Sequence, residues 1–439
     1  MSSKLDSLFQ SKAMQKLQAA GAWMQSNKTL SSISQGMMAS IGLILAGAVF
    51  MIIATLLSLA GAIEQTGAVY QWLVAPYNMT IGLISVAIAF AVGYAYTKNL
   101  EMSGAMTNGI VTMILFLMVA APFQSVQLVD GQTTMTVMNT TYVGSTGLFT
   151  AMIMPLITIR IIKFCQDKHV TLSMPDTVPQ FLQDSFSSAI PLLINIVLWC
   201  GINTGIESVM GVNLPAAIMG ILAAPLGALT SIPGAFVLIF VCQLLWAFGI
   251  HGGNITGIVI FPMMIQAIGH NAELVAQGMD PVFSPVFIWG ATSVAGGAGN
   301  CISLALLCLR SKSEQLKAIG KVGIVPTLFN ISEPMAFGVP IMYNPLMFIP
   351  FIINPLIVGL IMWAGYATGF FQCSYIMIMT VLPIFFASYL PTLSVTNLLI
   401  PIIGFVVSYI IYLPFVKMYD KQLVEQEAEA KRAEEAAAA

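Results

Sequence analysis

The stretch Phe329-Asn330-Ile331-Ser332-Glu333-Pro334 holds the one carboxylate of a long apolar segment. From Val322 to Val416 the chain has no Lys, Arg, Asp or His, and Glu333 is the only acid. An ionisable side chain inside a bilayer costs on the order of a few kcal/mol and usually faces a cavity, a partner or a ligand. We therefore weigh three interpretations of Glu333: a catalytic or ligand-binding group, a proton-coupling carboxylate, and a protonated carboxyl that is hydrogen-bonded between helices.

The composition around this stretch excludes a soluble protein. Of 439 residues, 58% are hydrophobic and 8% are charged, and the mean hydropathy is +0.89. These values predict an all-α polytopic membrane protein. Uninterrupted apolar runs long enough to cross a bilayer occur at 37–60, 79–97, 104–122, 146–164, 186–206, 233–250, 345–366, 374–391 and 396–416. Further apolar stretches, at 213–230, 254–269, 281–309 and 322–343, are interrupted by Gly, Pro and Asn.

The basic residues indicate the topology. All sixteen Lys and Arg fall at 4–28, 98, 160–168, 310–321 and 417–432. Cytoplasmic loops collect Lys and Arg, so we expect these places on the cytoplasmic side, with both termini inside and no cleavable leader. Three uninterrupted runs lie between Lys321 and Lys417, an odd number. Either 322–343 makes a net crossing or one of the three runs does not span.

Other sequence features exclude several classes of site. The six cysteines lack the paired spacing of metal ligands, so we expect neither disulfides nor a metal site, and no cofactor. The net charge of −2 gives no reason to propose nucleic acid as a partner. Asp130-Gly131 lies between two alternating runs, 126–129 and 132–137, and this pattern predicts a β-hairpin in an external loop.

Three irregular segments carry the candidate chemistry: 248–254, 296–300 and 330–334. Transporters build binding sites at the bilayer midplane from discontinuous helices, whose freed backbone groups face a cavity. We therefore predict one such site, with His251 beside Glu333 as a candidate group. A buried, hydrogen-bonded histidine is the alternative for His251, and packing is the alternative for Trp246. Close helix packing also selects glycines, so each segment taken alone is weak evidence.

Several ordered motifs resemble those of one family. They are Leu309-Arg310-Ser311-Lys312-Ser313-Glu314-Gln315-Leu316-Lys317, Pro326, Phe329 to Pro334, Phe337-Gly338-Val339-Pro340, Asn344-Pro345, Met174-Pro175-Asp176-Thr177-Val178-Pro179, Ser185-Phe186, Pro191, His251-Gly252-Gly253-Asn254, Gly144 and Gly147-Leu148-Phe149. This string, over roughly residues 30 to 415, resembles the membrane IIC components of the lactose/cellobiose/diacetylchitobiose family of phosphotransferase-system (PTS) sugar permeases.

The resemblance implies an architecture. A PTS IIC fold has about ten transmembrane helices plus re-entrant hairpins, and its members are homodimers in the bacterial plasma membrane. Four parts follow for this sequence: a cytoplasmic amphipathic N-terminus at 1–35, a transmembrane dimerisation domain at 36–210, a transmembrane sugar-binding domain at 211–416, and a charged cytoplasmic tail at 417–439. The tail itself is typical of a solvated helix or a disordered segment, not of a further domain.

The resemblance also implies the chemistry. A separate phosphorylated IIB protein, charged by IIA, transfers phosphate to the 6-hydroxyl of an incoming sugar such as cellobiose, lactose or diacetylchitobiose. Glu333 would be the base for that hydroxyl and His251 its second hydrogen-bond partner. The remaining candidates for sugar contact are Asn254, Asn330, Trp246, Asn139 and Lys98. Lys98 has an alternative as a plain cytoplasmic anchor. Burial predicts a raised pKa for Glu333.

The sequence departs from the family pattern at two places. Many members carry Pro-Trp-Thr-Thr-Pro where this chain reads Thr380-Val381-Leu382-Pro383-Ile384-Phe385-Phe386, so the expected sugar-facing tryptophan is missing. Ser332 also stands where asparagine is commoner. The identity of the sugar is therefore open. Two alternatives to a PTS permease are a proton-coupled sugar symporter, in which Glu333 carries the proton, and a channel-like or scaffolding membrane protein.

Overall fold

The chain folds as helices in two compact units. The computed structural model describes Trp23, Ser26 and residues 27–64, 66–127, 134–172, 175, 177–339, 341, 344–378 and 382–438. One unit comprises Ser26–Gly227, and the described part of the other comprises Trp23 and the chain from Ala228 to residue 438. Among the described residues, eight helical stretches are long and apolar enough to cross a membrane, or nine if Leu214–Leu229 and Ile232–Ala247 count together as one broken span. The all-α membrane class predicted from composition is confirmed.

The first unit contains an antiparallel hairpin among its helices. Its elements are α1 Lys28–Ala39, α2 Ile41–Leu59, α3 Ala68–Ile81, α4 Ile84–Asn99, α5 Ala105–Ala120, β1 Phe123–Gln127, β2 Thr134–Met138, a 3-10 turn Ser145–Gly147, α6 Leu148–Asp167, α7 Gln180–Ser187, α8 Ala189–Met210 and α9 Leu214–Leu229. Helix α4 packs against α1, α5 and α6. Its Gly93 allows α5 to approach closely, because a Cβ there would lie 2.1 Å from the Thr112 hydroxyl.

The predicted hairpin is present in its strands. Strand β1 pairs antiparallel with β2, with Phe123 opposite Met138 and Gln127 opposite Thr134. Both strands are exposed along their whole length. The predicted Asp-Gly turn at 130–131 lies outside the described residues.

The second unit holds the candidate site. Its elements are α10 Ile232–Ala247, α11 Gly252–Ala276, α12 Val286–Ser293, a 3-10 turn Ala298–Asn300, α13 Cys301–Leu309, α14 Glu314–Leu328, α15 Glu333–Gly338, α16 Pro345–Ala367, α17 Ile384–Tyr389, a 3-10 turn Val395–Leu398 and α18 Leu399–Ala438. Polar residues before three of these helices accept a hydrogen bond from the first turn: Ser231 before α10, Ser313 before α14 and Asn344 before α16. Such caps satisfy backbone donors that the helix itself leaves free.

The C-terminal tail continues the last apolar helix and packs back on the unit. Asp420 and Glu427 of α18 accept hydrogen bonds of 2.8 to 3.3 Å from the backbone N–H groups of residues 312–315. The Ser313 hydroxyl donates to Glu427 at 2.6 Å. Carboxylates at a helix N-terminus satisfy its free donors and complement its dipole. The tail therefore caps α14, the helix that leads towards Glu333.

The predicted spanning run at 374–391 is wrong. Residues 371–378 lie outside any helix, and α17 has only six residues. The N–H groups of Tyr375 and Ile376 both donate to the Pro391 carbonyl at 3.1 Å, so the two ends of this segment are adjacent. Pro383 and Pro391 lack the N–H that a continuous helix requires. Among the residues that the structure describes, two candidate spanning helices are left between Lys321 and Lys417. Their number is even, so the region 322–343 need not cross.

The interrupted stretches also differ from expectation. The 254–269 stretch is part of one 25-residue helix, α11, which continues through Pro262. The interruption lies just before α11, at residues 248–251. In contrast, the 281–309 stretch is broken as predicted, because the chain leaves helical geometry between α12 and the 3-10 turn.

Candidate functional site

His251 and Glu333 come together at the starts of two helices. His251 is the N-cap of α11, with extended backbone, directly after the interruption that follows α10. Glu333 is the first residue of the short helix α15, and Pro334 follows it at a position where proline favours helix initiation. His251 Nε2 lies 3.2 Å from Glu333 Oε1. Their side chains are 32% and 42% exposed, respectively. The predicted neighbourhood of these two residues is therefore present.

The backbone of α11 selects the tautomer of His251. The Asn254 N–H donates to His251 Nδ1 at 3.1 Å. A nitrogen that accepts this bond carries no proton, so the neutral ring has its proton on Nε2. His251 Nε2 therefore donates to the Glu333 carboxylate. In the pair, His251 is a hydrogen-bond donor and Glu333 is the group able to accept a proton.

The pKa of Glu333 is lowered, and the sequence-based prediction of a raised pKa is wrong. The largest cause is the hydrogen bond from His251, and the backbone N–H groups of Ser332 and Glu333 add to it. Partial burial acts in the opposite direction but is the weaker effect. Glu333 belongs to α15, outside the candidate spans. Hydrogen bonds to the charged form stabilise a carboxylate, so the deprotonated form of Glu333 is favoured.

Trp246 packs against the imidazole of His251. Its ring centroid is 4.4 Å from that of His251 and 5.7 Å from that of Phe337, and only 3% of the residue is exposed. Phe337 lies one helical turn after Glu333, where side chains share a face. In this arrangement Trp246 packs against the catalytic candidate and offers no open face. Its role as a sugar platform stays a prediction. The spacing of one helical turn between Glu333 and Phe337 is the sequence signal that could have identified Phe337 as a neighbour of the site.

Of the three asparagines predicted for sugar contact, Asn254 and Asn330 lie in this unit and differ sharply. The Asn254 side chain is exposed and has no hydrogen bond within the described part of the chain. It is therefore available to a ligand as donor and acceptor. In Asn330, the side-chain oxygen accepts from the Gly296 N–H at 3.1 Å, and the side-chain nitrogen donates to the Leu382 carbonyl at 3.3 Å. Asn330 thus uses both groups on the protein backbone.

Lys98 and Asn139 belong to the other unit. The Lys98 amine is 4.9 Å from the centroid of the Tyr94 ring, beside an apolar groove that Val86, Phe90 and Tyr94 help to line. Asn139 follows β2, and its side-chain oxygen accepts from the Thr141 N–H at 3.0 Å, which forms a local turn. Their predicted contact with sugar stays a prediction.

The glycine-rich segment at 296–300 packs directly on the segment that carries Glu333. Gly297 has a φ of +76°, and a Cβ there would lie 2.4 Å from the Asn330 carbonyl oxygen and 3.1 Å from Ser332 Cβ. Two of the three predicted irregular segments thus touch backbone to backbone, and the His251–Glu333 pair adds the third. The three segments therefore lie together, and their use as one binding site stays a prediction.

The chain combines membrane-spanning helices with irregular segments that bring a carboxylate and a histidine together. This combination is typical of a membrane permease with a polar site. Comparison with known proteins makes the class specific. Residues 34–355 match the family model described as "Phosphotransferase system, EIIC". The chain belongs to this family.

Individual relatives agree with the family match. The chain is 30% identical to the lichenan permease IIC component of Bacillus subtilis, over 91% of this chain and 90% of that protein. It is 29% identical to the cellobiose-specific EIIC component of Geobacillus stearothermophilus, over 91% of each. The crystal structure of ChbC, the IIC component of an N,N'-diacetylchitobiose-specific phosphotransferase system, superposes with a TM-score of 0.84 at 26% identity, covering 93% of this chain and 97% of ChbC.

Proposed function

We propose that this permease imports a β-linked disaccharide, such as cellobiose, lactose or diacetylchitobiose, and couples its entry to phosphorylation of the 6-hydroxyl. A separate phosphorylated IIB protein donates the phosphate and is itself recharged through IIA. The observation that carries the proposal is the His251–Glu333 pair, with its donor and its carboxylate 3.2 Å apart. The names of the lichenan, cellobiose and diacetylchitobiose relatives support a β-linked sugar.

The pair is suited to activate a hydroxyl. A sugar hydroxyl placed between the two side chains donates its hydrogen to the Glu333 carboxylate and accepts from His251 Nε2–H. By resemblance to the family, IIB carries its phosphate on a cysteine. As the sugar oxygen attacks the phosphorus of this phosphocysteine, an O–P bond forms, the S–P bond breaks, and the thiolate leaves. The hydroxyl proton passes to Glu333. A base positioned in this way assists phosphoryl transfer.

The wider arrangement follows from the same family. We place the protein in the bacterial plasma membrane as a homodimer, with both termini cytoplasmic because the basic residues cluster beside them. Residues 36–210 supply the dimer contact, and residues 211–416 bind the sugar. Residues 1–35 and 417–439 lie on the cytoplasmic side. The exposed amide of Asn254 is the group best placed to add a sugar hydrogen bond beside the pair.

Uptake by membrane vesicles tests the proposal. Vesicles holding this protein, its IIB and IIA partners, the general phosphotransferase proteins and phosphoenolpyruvate receive labelled cellobiose, lactose or diacetylchitobiose. We expect the label to accumulate as sugar phosphate and only with the complete phosphate relay. Unmodified sugar inside, unaffected by omission of the relay, contradicts the proposal. Uptake that collapses with the proton gradient identifies a symporter instead.

The pH dependence of phosphorylation should reveal the bond from His251. Because this bond lowers the pKa of Glu333, the base is already deprotonated below neutral pH, and the rate should not change with pH around neutrality. His251→Leu removes the donor, so the pKa of Glu333 rises. The acid limb, which is the low-pH range in which the rate falls, then moves to higher pH. His251→Gln keeps an N–H donor and should move the limb less.

The control for this measurement is His270→Leu, which changes an exposed histidine near the end of α11. Its profile should coincide with that of the unmodified protein. The rate is measured with saturating phospho-IIB, so that titration of the partner does not set the limb. An acid limb at the same pH in His251→Leu and the unmodified protein shows that the His251 bond does not control Glu333.

A further inference from the structure

Asn330 joins three segments of the second unit through one side chain. Its side-chain oxygen binds the N–H of Gly296, and its side-chain nitrogen binds the carbonyl of Leu382. Its own carbonyl lies against Gly297. Glu333 follows three residues later. We propose that Asn330 is a positioning residue. It ties the segment that carries Glu333 to the 296–300 turn and to the start of α17, and so holds the Glu333 carboxylate within reach of the sugar hydroxyl. This inference rests on the proposed function.

The backbone at Asn330 explains why this residue type is suited to the task. Its φ is +62°, in the left-handed region. Asparagine tolerates this conformation better than most side chains and still supplies both a donor and an acceptor. Glycine tolerates it equally well but makes neither bond. Asn330→Gly therefore removes the tie without adding backbone strain.

The two side-chain hydrogen bonds of Asn330 affect catalysis through the position of the Glu333 carboxylate. Between Asn330 and the first turn of α15 lie only Ile331 and Ser332, so a shift at Asn330 reaches the Glu333 carboxylate almost undiminished. Displacement of a catalytic group by about 1 Å costs up to about 100-fold in rate. The Asn330 amide is bonded to the backbone at both ends, so we expect sugar binding to depend on other groups, among them the exposed amide of Asn254. A loss of the tie should therefore lower kcat and leave KM nearly unchanged.

The same unit contains a matched asparagine that ties a different loop. Asn397 accepts from the Gln372 N–H at 2.9 Å and donates to the Gln372 carbonyl at 3.0 Å. Like Asn330, it uses both ends of its amide on loop backbone, but the Gln372 loop carries neither His251 nor Glu333. Asn397→Gly therefore reports the general effect of losing such a tie.

Steady-state phosphorylation of cellobiose, lactose and diacetylchitobiose by the full-length protein in vesicles tests the inference. We expect Asn330→Gly to lower kcat by at least about tenfold, with KM within about threefold of the unmodified value. Asn330→Asp keeps the acceptor for Gly296 and loses the donor to Leu382, so its kcat should be intermediate. Asn397→Gly should keep a normal kcat. Hydrogen exchange of residues 296–300, measured without sugar, should be faster in Asn330→Gly than in Asn397→Gly.

The outcomes separate this inference from the proposed function. If Asn330→Gly raises KM with kcat unchanged, Asn330 is a sugar ligand and the inference fails while the function stands. If kcat is normal and exchange is unchanged, Asn330 positions nothing, and the inference again fails alone. If the unmodified protein phosphorylates none of the three sugars although its IIB partner is charged, the proposed function fails, and this inference fails with it.

Discussion

Glu333→Gln should reduce sugar phosphorylation by at least about 100-fold and leave sugar binding measurable. The amide has the shape of the carboxylate but cannot accept the hydroxyl proton, and removal of a general base costs about 100- to 10,000-fold in rate. The amide oxygen still accepts from His251 and from the sugar hydroxyl. The dissociation constant should therefore rise by no more than about tenfold, the difference between a charged and a neutral hydrogen bond.

Two measurements on the same preparation check this expectation: equilibrium binding of labelled disaccharide, and single-turnover transfer from phospho-IIB. Glu273→Gln is the matched control, because Glu273 is an exposed glutamate of α11 in the same unit. It should behave as the unmodified protein does. A Glu333→Gln variant that transfers phosphate at a near-normal rate removes Glu333 from the role of base and leaves it a hydrogen-bonded structural carboxyl.

Gly297→Ala should disrupt the site from outside the reacting pair. The new Cβ would lie 2.4 Å from the Asn330 carbonyl oxygen, a backbone atom that cannot rotate away. The 296–300 turn and the Glu333 segment must then separate. In addition, Gly297 has a φ of +76° and a ψ of −151°, a conformation almost confined to glycine, and another residue held there costs about 1–3 kcal/mol. We expect a lower unfolding temperature and a loss of phosphorylation of at least about tenfold.

Gly278→Ala is the control for alanine at a positive φ without a contact. Gly278 also has a φ of +76°, but a Cβ there meets nothing within 4 Å. Both variants therefore place alanine at a positive φ, and only Gly297→Ala carries the collision. Thermal unfolding and phosphorylation are measured for both in the same lipid. Equal loss of activity in the two variants shows that contact between the two segments is not what the site requires.

Much of the site was recognisable from sequence because it is local. Glu333 is conspicuous as the only acid between Val322 and Val416, and the interruptions at 248–254, 296–300 and 330–334 are marked by glycine, proline and asparagine. These features depend on residue type and near neighbours alone. Their combination predicts a midplane site, and the meeting of His251 with Glu333 agrees with it.

The predictions that were wrong concern properties that depend on distant parts of the chain. An apolar run cannot show that Tyr375 and Ile376 will bond to Pro391, and so 374–391 was predicted as a spanning helix. Burial alone predicts a raised pKa for Glu333, whereas a histidine 82 residues away lowers it. Contact of Asn330 with sugar stays a prediction, but the sequence does not show that its amide bonds to the backbone at Gly296 and at Leu382.

By itself the sequence determined the membrane class, most of the spanning helices and the residues able to carry chemistry, because hydrophobicity and breaks in helical propensity are local properties. Tertiary structure alone decided the environment of those residues. Asn254 selects the tautomer of His251, the bond from His251 lowers the pKa of Glu333, and Gly297 allows the approach that places Glu333. Each of these effects is a hydrogen bond or a contact, whose energy depends on distances of a few ångströms that residue types do not specify.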